Sequence, residues 1–359
     1  MNMQATRKIL LFTMAAFLLC CNRANNERFF IYYDKPFECL QMKAAIKNKP
    51  FVIVLIDSTQ DASRRYLQQL LTTYKHLTKN AIYNIVDISN KDNQWYIKWL
   101  LPASLPLTCV FSPTGKLIDL IPGTSRESFL YTEEAIKNME ATVFHWPNRF
   151  GMNKKEVIPL LGKLLEEKHF LSVGGHSPTA LKALVKALPY PFSMYLKLKG
   201  EMMIQNTVGA KRIAEALIKI ETPYFLELYR EEFITARKII NPDFDINTEA
   251  NIRVDKTIII LDNSIVDESV PVNITVYNDG ERPLRISRVY LSCTCLELLG
   301  DSRNIVIEAK SSHVFNIYFT PDNEGEISRN VFIASNAINM PILHIQIQAN
   351  TISNINNNN

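Results

Sequence analysis

Six consecutive apolar residues, Phe51-Val52-Ile53-Val54-Leu55-Ile56, constrain this chain more than any other stretch. Four of them are β-branched and none leaves a polar face, which is how a strand covered on both sides reads. Ala62 to Leu77 follows with helical spacing: Tyr66, Leu67, Leu70, Leu71, Tyr74 and Leu77 share one face, with Arg64, Arg65, Gln68 and Gln69 opposite. Asp61 or Ser58 is placed to cap its start. Ile82 to Ile88 reads as a second strand, and Trp95, Tyr96, Trp99 and Leu100 as a second helix. Pro106 opens a strand over Leu107 to Phe111, Ser112-Pro113-Thr114-Gly115 a turn, and a further strand ends at Pro122-Gly123. Strands alternating with helices in this way predict an α/β layer architecture.

That order resembles the thioredoxin fold, which would occupy residues 22–145. The resemblance implies that Pro106 is cis and lies against the site where thioredoxins carry C-x-x-C; a trans proline at a strand start is the alternative. The matching stretch here is Asp57-Ser58-Thr59-Gln60-Asp61-Ala62-Ser63, without cysteine. Disulfide exchange needs a low-pKa thiolate at a helix N-terminus and a partner thiol one turn on. Thr59 and Ala62 stand there instead, so the domain is expected to be redox-inactive, its helix start and proline loop left to bind a peptide or small anion. Cys109, in mid-strand among apolar residues, reads as a small buried hydrophobe.

The strand pattern stops at Gly151, and residues 146–245 read as a helical segment. Val157, Ile158, Leu161, Leu164 and Leu165 form one stripe, and Ser177-Pro178 an N-cap and first helical position. Ala210 to Ile220 and Pro223 to Ile239 complete a set of about four or five helices. Val173-Gly174-Gly175-His176 is no phosphate loop, because no Lys follows it.

Beyond a polar linker ending near Asn251, short strands recur: Thr257–Leu261, Val270–Tyr277, Leu284–Cys293, Asn304–Ile307, His313–Phe319, Arg329–Ala334 and Ile342–Gln348. Turn residues separate them, predicting a β-sandwich over 246–352, and residues 353–359 read as a disordered asparagine-rich tail. Within it, Asn278-Asp279-Gly280, then Pro283-Leu284-Arg285-Ile286, then Cys293-Thr294-Cys295 resemble an uncharacterised bacterial immunoglobulin-like family with an N-x-G, P-L-x-I, C-G-C-T pattern. Thr294 replaces the middle glycine and Leu296 the usual threonine. The whole chain is thus expected to be multidomain α+β: a thioredoxin-like α/β domain, a helical segment and a C-terminal immunoglobulin-like β-sandwich.

On a regular strand Cys293 and Cys295 would point to one face. Three states compete: a reduced structural pair, a strained and exchange-prone disulfide, or part of a soft-metal site with further ligands such as His313 or His344. No metal or cofactor is assigned on this basis.

Residues 1–21 carry Arg7 and Lys8, then an apolar run of eleven residues, Ile9 to Leu19, broken only by Thr13. That is too short to span a bilayer and suits a signal peptide. The run ends at Cys20-Cys21, which resembles a bacterial lipoprotein lipobox with Leu19 or Cys20 in the place of the usual small residue; a plain signal peptide or short anchor is the alternative. Either cysteine is a lipidation candidate, implying a lipid-anchored protein of the cell envelope. The +4 net charge falls by two with the leader and argues against nucleic acid. Apolar residues at 47% suffice for cores without staples.

No H-E-x-x-H, G-x-S-x-G or Walker loop is present. The expected function is therefore non-catalytic: an envelope lipoprotein that holds a protein partner through its two interaction-type domains. The alternative is a thiol–disulfide or metal-handling protein working through Cys293 and Cys295. Glu166 and Glu167, the nearest thing to a paired-carboxylate hydrolase site, read as a solvated helix face.

Overall fold

The computed structural model describes residues 30–353. The expected signal peptide, both lipidation candidates Cys20 and Cys21, and residues 354–359, expected as a disordered tail, lie outside them. No helix among the described residues is long and apolar enough to cross a membrane. The chain divides into two compact units between Pro189 and Tyr190.

The first unit runs β1 (Ile31–Tyr33), α1 (Phe37–Lys47), β2 (Phe51–Ile56), α2 (Asp61–Leu71), α3 (Leu77–Asn80), β3 (Ile82–Asp87), α4 (Gln94–Leu100), β4 (Leu107–Phe111), β5 (Leu117–Pro122), α5 (Arg126–Asn138), α6 (Lys154–Ser172) and α7 (Pro178–Ala187). Its sheet has the order β1-β3-β2-β4-β5. β1, β3 and β2 are parallel, whereas β4 and β5 run antiparallel. This is the thioredoxin-like α/β arrangement. Every residue of β2 is buried because both faces are covered. Val52, Val54 and Ile56 meet Tyr66 and Leu70 of α2 and Phe129 and Ile136 of α5. On the other face Phe51 stacks on Phe111 at 4.7 Å, and Phe37 of α1 sets its edge against both rings.

The helix expected over 62–77 breaks at Leu71. Thr72 and Thr73 are β-branched, and Thr72 Oγ1 donates back to Gln68 O at 2.7 Å, a bond that competes with helix continuation. The turn that follows still delivers the helical face's last members to the core: Tyr74 stacks on Phe129 at 4.0 Å, and Leu77 is buried in α3.

The helical stretch of residues 146–245 is shared between the units. α6 and α7 belong to the first, tied down by a buried carboxylate. Asp119, an acid inside the apolar run of β5, accepts from Thr142 N at 2.9 Å, Thr142 Oγ1 at 2.7 Å and Lys154 Nζ at 2.5 Å. Lys154 also donates to Phe144 O at 2.9 Å. Trp99 of α4 donates to Leu161 O of α6 at 3.0 Å.

The second unit begins with α8 (Pro191–Met203), α9 (Thr207–Lys219), α10 (Pro223–Leu228) and α11 (Arg230–Ile240). The single helix expected from Pro223 to Ile239 bends at Tyr229, whose fully buried ring sits between α10 and α11 in sequence. Arg237 donates to both oxygens of Glu221 at 2.9 and 2.7 Å, binding α11 to the segment after α9.

Nine strands follow: β6 (Ile252–Val254), β7 (Ile258–Ile265), β8 (Val270–Asn278), β9 (Leu284–Leu291), β10 (Leu296–Leu299), β11 (Arg303–Ile307), β12 (Ser312–Phe319), β13 (Gly325–Ser335) and β14 (Ile342–Ile352). They form two sheets, β10-β12-β8-β6 and β11-β9-β13-β14-β7. All pairings are antiparallel except β14 with β7. Val272, Ile274, Val276, Val331, Ile333, Ile345 and Ile347 sit at alternate positions and fill the space between the sheets. The result is an immunoglobulin-like β-sandwich.

Candidate functional site

β2 delivers Asp57 to the mouth of the first sheet. Asp57 Oδ1 accepts from Thr59 N at 3.0 Å and Thr59 Oγ1 at 2.6 Å, and its Oδ2 from Gln60 Nε2 at 2.9 Å. Ser63 Oγ accepts from Asp57 N at 3.0 Å. Arg64 reaches back to Ser58 O and pairs with Asp61, which holds the exposed Asp61 carboxyl below its usual range. Asp87, at the end of β3, accepts from Ser58 N and Ser89 N. Burial pushes its carboxyl up, but the bonds from Ser58 and Ser89 outweigh that and hold it below the ordinary range.

The stretch Asp57 to Ser63 is therefore a polar turn largely closed on itself. Pro106 stands beside it: Leu107 pairs with Leu55 in an antiparallel register, which puts Pro106 level with Ile56, the last residue before the turn. The Leu105–Pro106 peptide is cis, and Pro106 O accepts from Gly123 N at 2.9 Å. No sulfur belongs to the turn. Cys109 is buried in β4, and burial drives its thiol far above the ordinary range. That thiol is not available as a nucleophile at neutral pH. Cys39 is likewise buried, in α1.

Cys293, expected as the last residue of a strand, lies beyond it, and Cys295 also lies between strands. β9 stops at Leu291 and β10 starts at Leu296. The intervening turn carries the chain from the five-stranded sheet to the four-stranded one. Its ends are pinned: Ser292 N donates to Asn330 O at 3.0 Å, Asn330 N to Ser292 Oγ at 2.8 Å, and Thr320 N to Cys295 O at 2.8 Å. The two cysteine Cα atoms are 5.2 Å apart, short of the roughly 6.6 Å that two extended residues span. The sulfurs are joined as a disulfide, half-buried against the sandwich core, with Thr294 exposed between them.

Arg329 completes this site. It occupies an inward position of β13, between Ile327 and Val331, and its Nε donates to Cys295 Sγ at 3.1 Å. Its Nη2 donates to Asp322 Oδ1 at 3.0 Å. Sequence reading missed Arg329, although the signal was present: a charged residue at the parity of a strand's buried positions needs a partner.

The histidines do not join the pair. His313 is on β12 of the four-stranded sheet, its ring edge-on to Phe315. His344 is on β14, stacked on Phe332 at 4.8 Å with Nε2 2.8 Å from Asn330 Oδ1. Among the described residues no group of three or more His, Cys, Asp or Glu is arranged to hold a metal ion. Glu166 is exposed as expected of a solvated face, but Glu167 is not: its Oε2 is enclosed without a hydrogen bond, and burial raises its carboxyl.

The remaining motif residues are structural. Asn278 is fully buried, and its amide nitrogen donates to Arg282 O at 2.8 Å and to Ile307 O and Glu308 O at 3.1 Å. Its Oδ1 accepts from Gly280 N and Asn251 N. A Cβ on Gly280 would meet Glu249 O at 2.0 Å. Leu284 and Ile286 are buried in the core.

An α/β domain and a β-sandwich with a disulfide inside one inter-strand turn define the class. A family profile described as "Protein of unknown function (DUF1573)" matches residues 252–351, which is β6 through nearly all of β14, so the sandwich is similar to that family. No curated protein matches the chain. Among solved structures, a protein of unknown function from Porphyromonas gingivalis is 19% identical with a TM-score of 0.26 over 31% of this chain. The chain spans about half, 50%, of that protein's length. A PapD-like domain of human CEP192 is 13% identical, with a TM-score of 0.23 over 31% of this chain and 89% of that one. An MSP family member of C. elegans is 11% identical, with a TM-score of 0.22 over 29% of this chain and all, 100%, of that one.

Proposed function

We propose that this chain is a non-catalytic lipoprotein of the bacterial cell envelope that holds a protein partner through its thioredoxin-like and immunoglobulin-like domains. The observation that carries the reading is the turn from Asp57 to Ser63. It stands beside Pro106, where an exchanger keeps its thiols, and its polar groups bond mainly to one another. An architecture retained without its reacting atoms is left with recognition. The envelope address rests on the charged and apolar leader and on Cys20 or Cys21 as the anchored residue. The test is cross-linking of the full chain in membranes, with the partner identified and its capture measured after deleting each domain in turn. Loss of that partner on removal of either domain supports two-module binding. Undiminished capture after both separate deletions contradicts it.

A second reading, thiol–disulfide exchange in the sandwich, is favoured by one observation: Cys293 and Cys295 form a half-buried disulfide in contact with a guanidinium. Resistance of that bond to dithiothreitol in the folded chain would remove this reading and leave the first untouched.

A further inference from the structure

The Cys293–Cys295 disulfide is not symmetric. Only Cys295 has a charged donor on its sulfur among the hydrogen bonds of the turn: Arg329 Nε–H at 3.1 Å. The guanidinium is held from behind by Asp322 at 3.0 Å, on a strand whose neighbouring inward residues, Ile327 and Val331, are buried. Cys295 is also anchored through its carbonyl by Thr320 N. In disulfide exchange the attacking thiolate displaces the sulfur that leaves as the more stable thiolate. A cation beside a sulfur stabilises that thiolate, and Arg keeps its charge at all relevant pH values.

We propose that Arg329 gives this disulfide a direction: an incoming thiolate attacks Sγ of Cys293, and Cys295 leaves as a thiolate on Arg329. The proposal rests on the exchange reading above and adds to it the polarity and the residue that sets it. In the first step a bond forms between the external sulfur and Cys293, the Cys293–Cys295 bond breaks, and its electron pair stays on Cys295. A second thiol of the same dithiol then attacks its own sulfur in the mixed disulfide. Cys293 is released as a thiolate and takes up a proton. The balance is a dithiol oxidised by two electrons and the Cys293–Cys295 pair reduced by two. The co-reactant class is a dithiol, on a protein or a small molecule. Arg329 touches the leaving sulfur and forms no bond itself.

The experiment uses the full chain with dithiothreitol as the dithiol. Rates of reduction are followed by acid quench, alkylation and peptide mapping of residues 293 and 295. Arg329→Gln should slow reduction roughly tenfold, because a higher leaving-group pKa slows exchange. Asp322→Asn breaks the same ion pair but keeps the cation, and should leave the rate equal or faster. A merely structural role for Arg329 would move both variants the same way. In the reduced Cys293→Ser chain, the pH midpoint for iodoacetamide alkylation of Cys295 should lie below the ordinary thiol value of about 8.5 and rise in Arg329→Gln. Monothiol trapping with glutathione should place the adduct on Cys293. Equal rates in wild type and Arg329→Gln, or adducts chiefly on Cys295, overturn the proposal while leaving exchange itself intact. A chain whose Cys293 and Cys295 alkylate fully before any reductant overturns both.

Discussion

Lys154 Nζ lies 2.5 Å from Asp119 Oδ1, with that carboxylate fully buried and the ammonium nearly so. Burial pulls the Lys154 amine below its usual range, and Asp119 opposes the shift. The pair ties β5 to the start of α6 and to the segment between α5 and α6. Removing one partner from a buried ion pair strands the other. Lys154→Met is therefore expected to cost about 3 kcal/mol in denaturant unfolding. Asp119→Asn combined with Lys154→Met should recover part of that loss, and a double mutant less stable than either single one would contradict the account.

Tyr66 and Tyr83 make opposite predictions although both are buried in the same core. Tyr66 Oη is 2.8 Å from Thr108 Oγ1, whereas Tyr83 Oη is enclosed with no hydrogen-bond partner. Tyr66→Phe should destabilise by about 1 kcal/mol, and Tyr83→Phe should be neutral or stabilising by a similar amount. Equilibrium unfolding of both variants checks the difference.

The same tyrosines set an alkaline limit. Burial raises Tyr66 and Tyr83 in the first unit and Tyr190 and Tyr229 in the second above the unfolded value of 10.0. For a phenol raised on folding, the unfolded state loses its proton first. The stability these groups contribute is full below pH 10 and falls as pH climbs beyond it. Denaturation midpoints measured from pH 8 to 11 should hold up to about 10 and then drop. A midpoint that stays level through pH 11 would contradict the burial.

Asn278 and Gly280 account for the N-x-G motif by packing alone. Asn278→Ala leaves buried carbonyls and amides without partners and is expected to cost about 3 kcal/mol. Gly280→Ala should destabilise comparably, because the atom its Cβ strikes is backbone, Glu249 O at 2.0 Å. Both effects should appear as lower unfolding midpoints of the full chain, with the Cys293–Cys295 bond still present.

Much of this architecture is legible where hydrophobic periodicity is strong. β2 and β4 read directly, because an unbroken apolar run has only a doubly covered place to go. The elements that escaped are those whose signals are tertiary. β6 hides in a polar stretch because it is made by pairing with β8, with Asn339 Oδ1 accepting from Ile252 N from far along the chain. β10 escaped because Cys-Thr-Cys makes the preceding turn without glycine, proline or asparagine to mark it. Of the candidate sites, the cysteine-free turn at Asp57–Ser63 was visible in sequence, while Arg329 meets Cys295 across a separation of 34 residues. That approach depends on sheet register, which local pattern does not encode.

The most direct test of the account is a cysteine-by-cysteine alkylation map of the folded full chain with and without dithiothreitol. Cys293 and Cys295 should be protected before reduction and alkylated after it, while Cys39 and Cys109 stay unreactive in the buried core of the first domain in both states. Alkylation of Cys293 and Cys295 without reductant, or a reducible disulfide formed by Cys39 or Cys109, would contradict it.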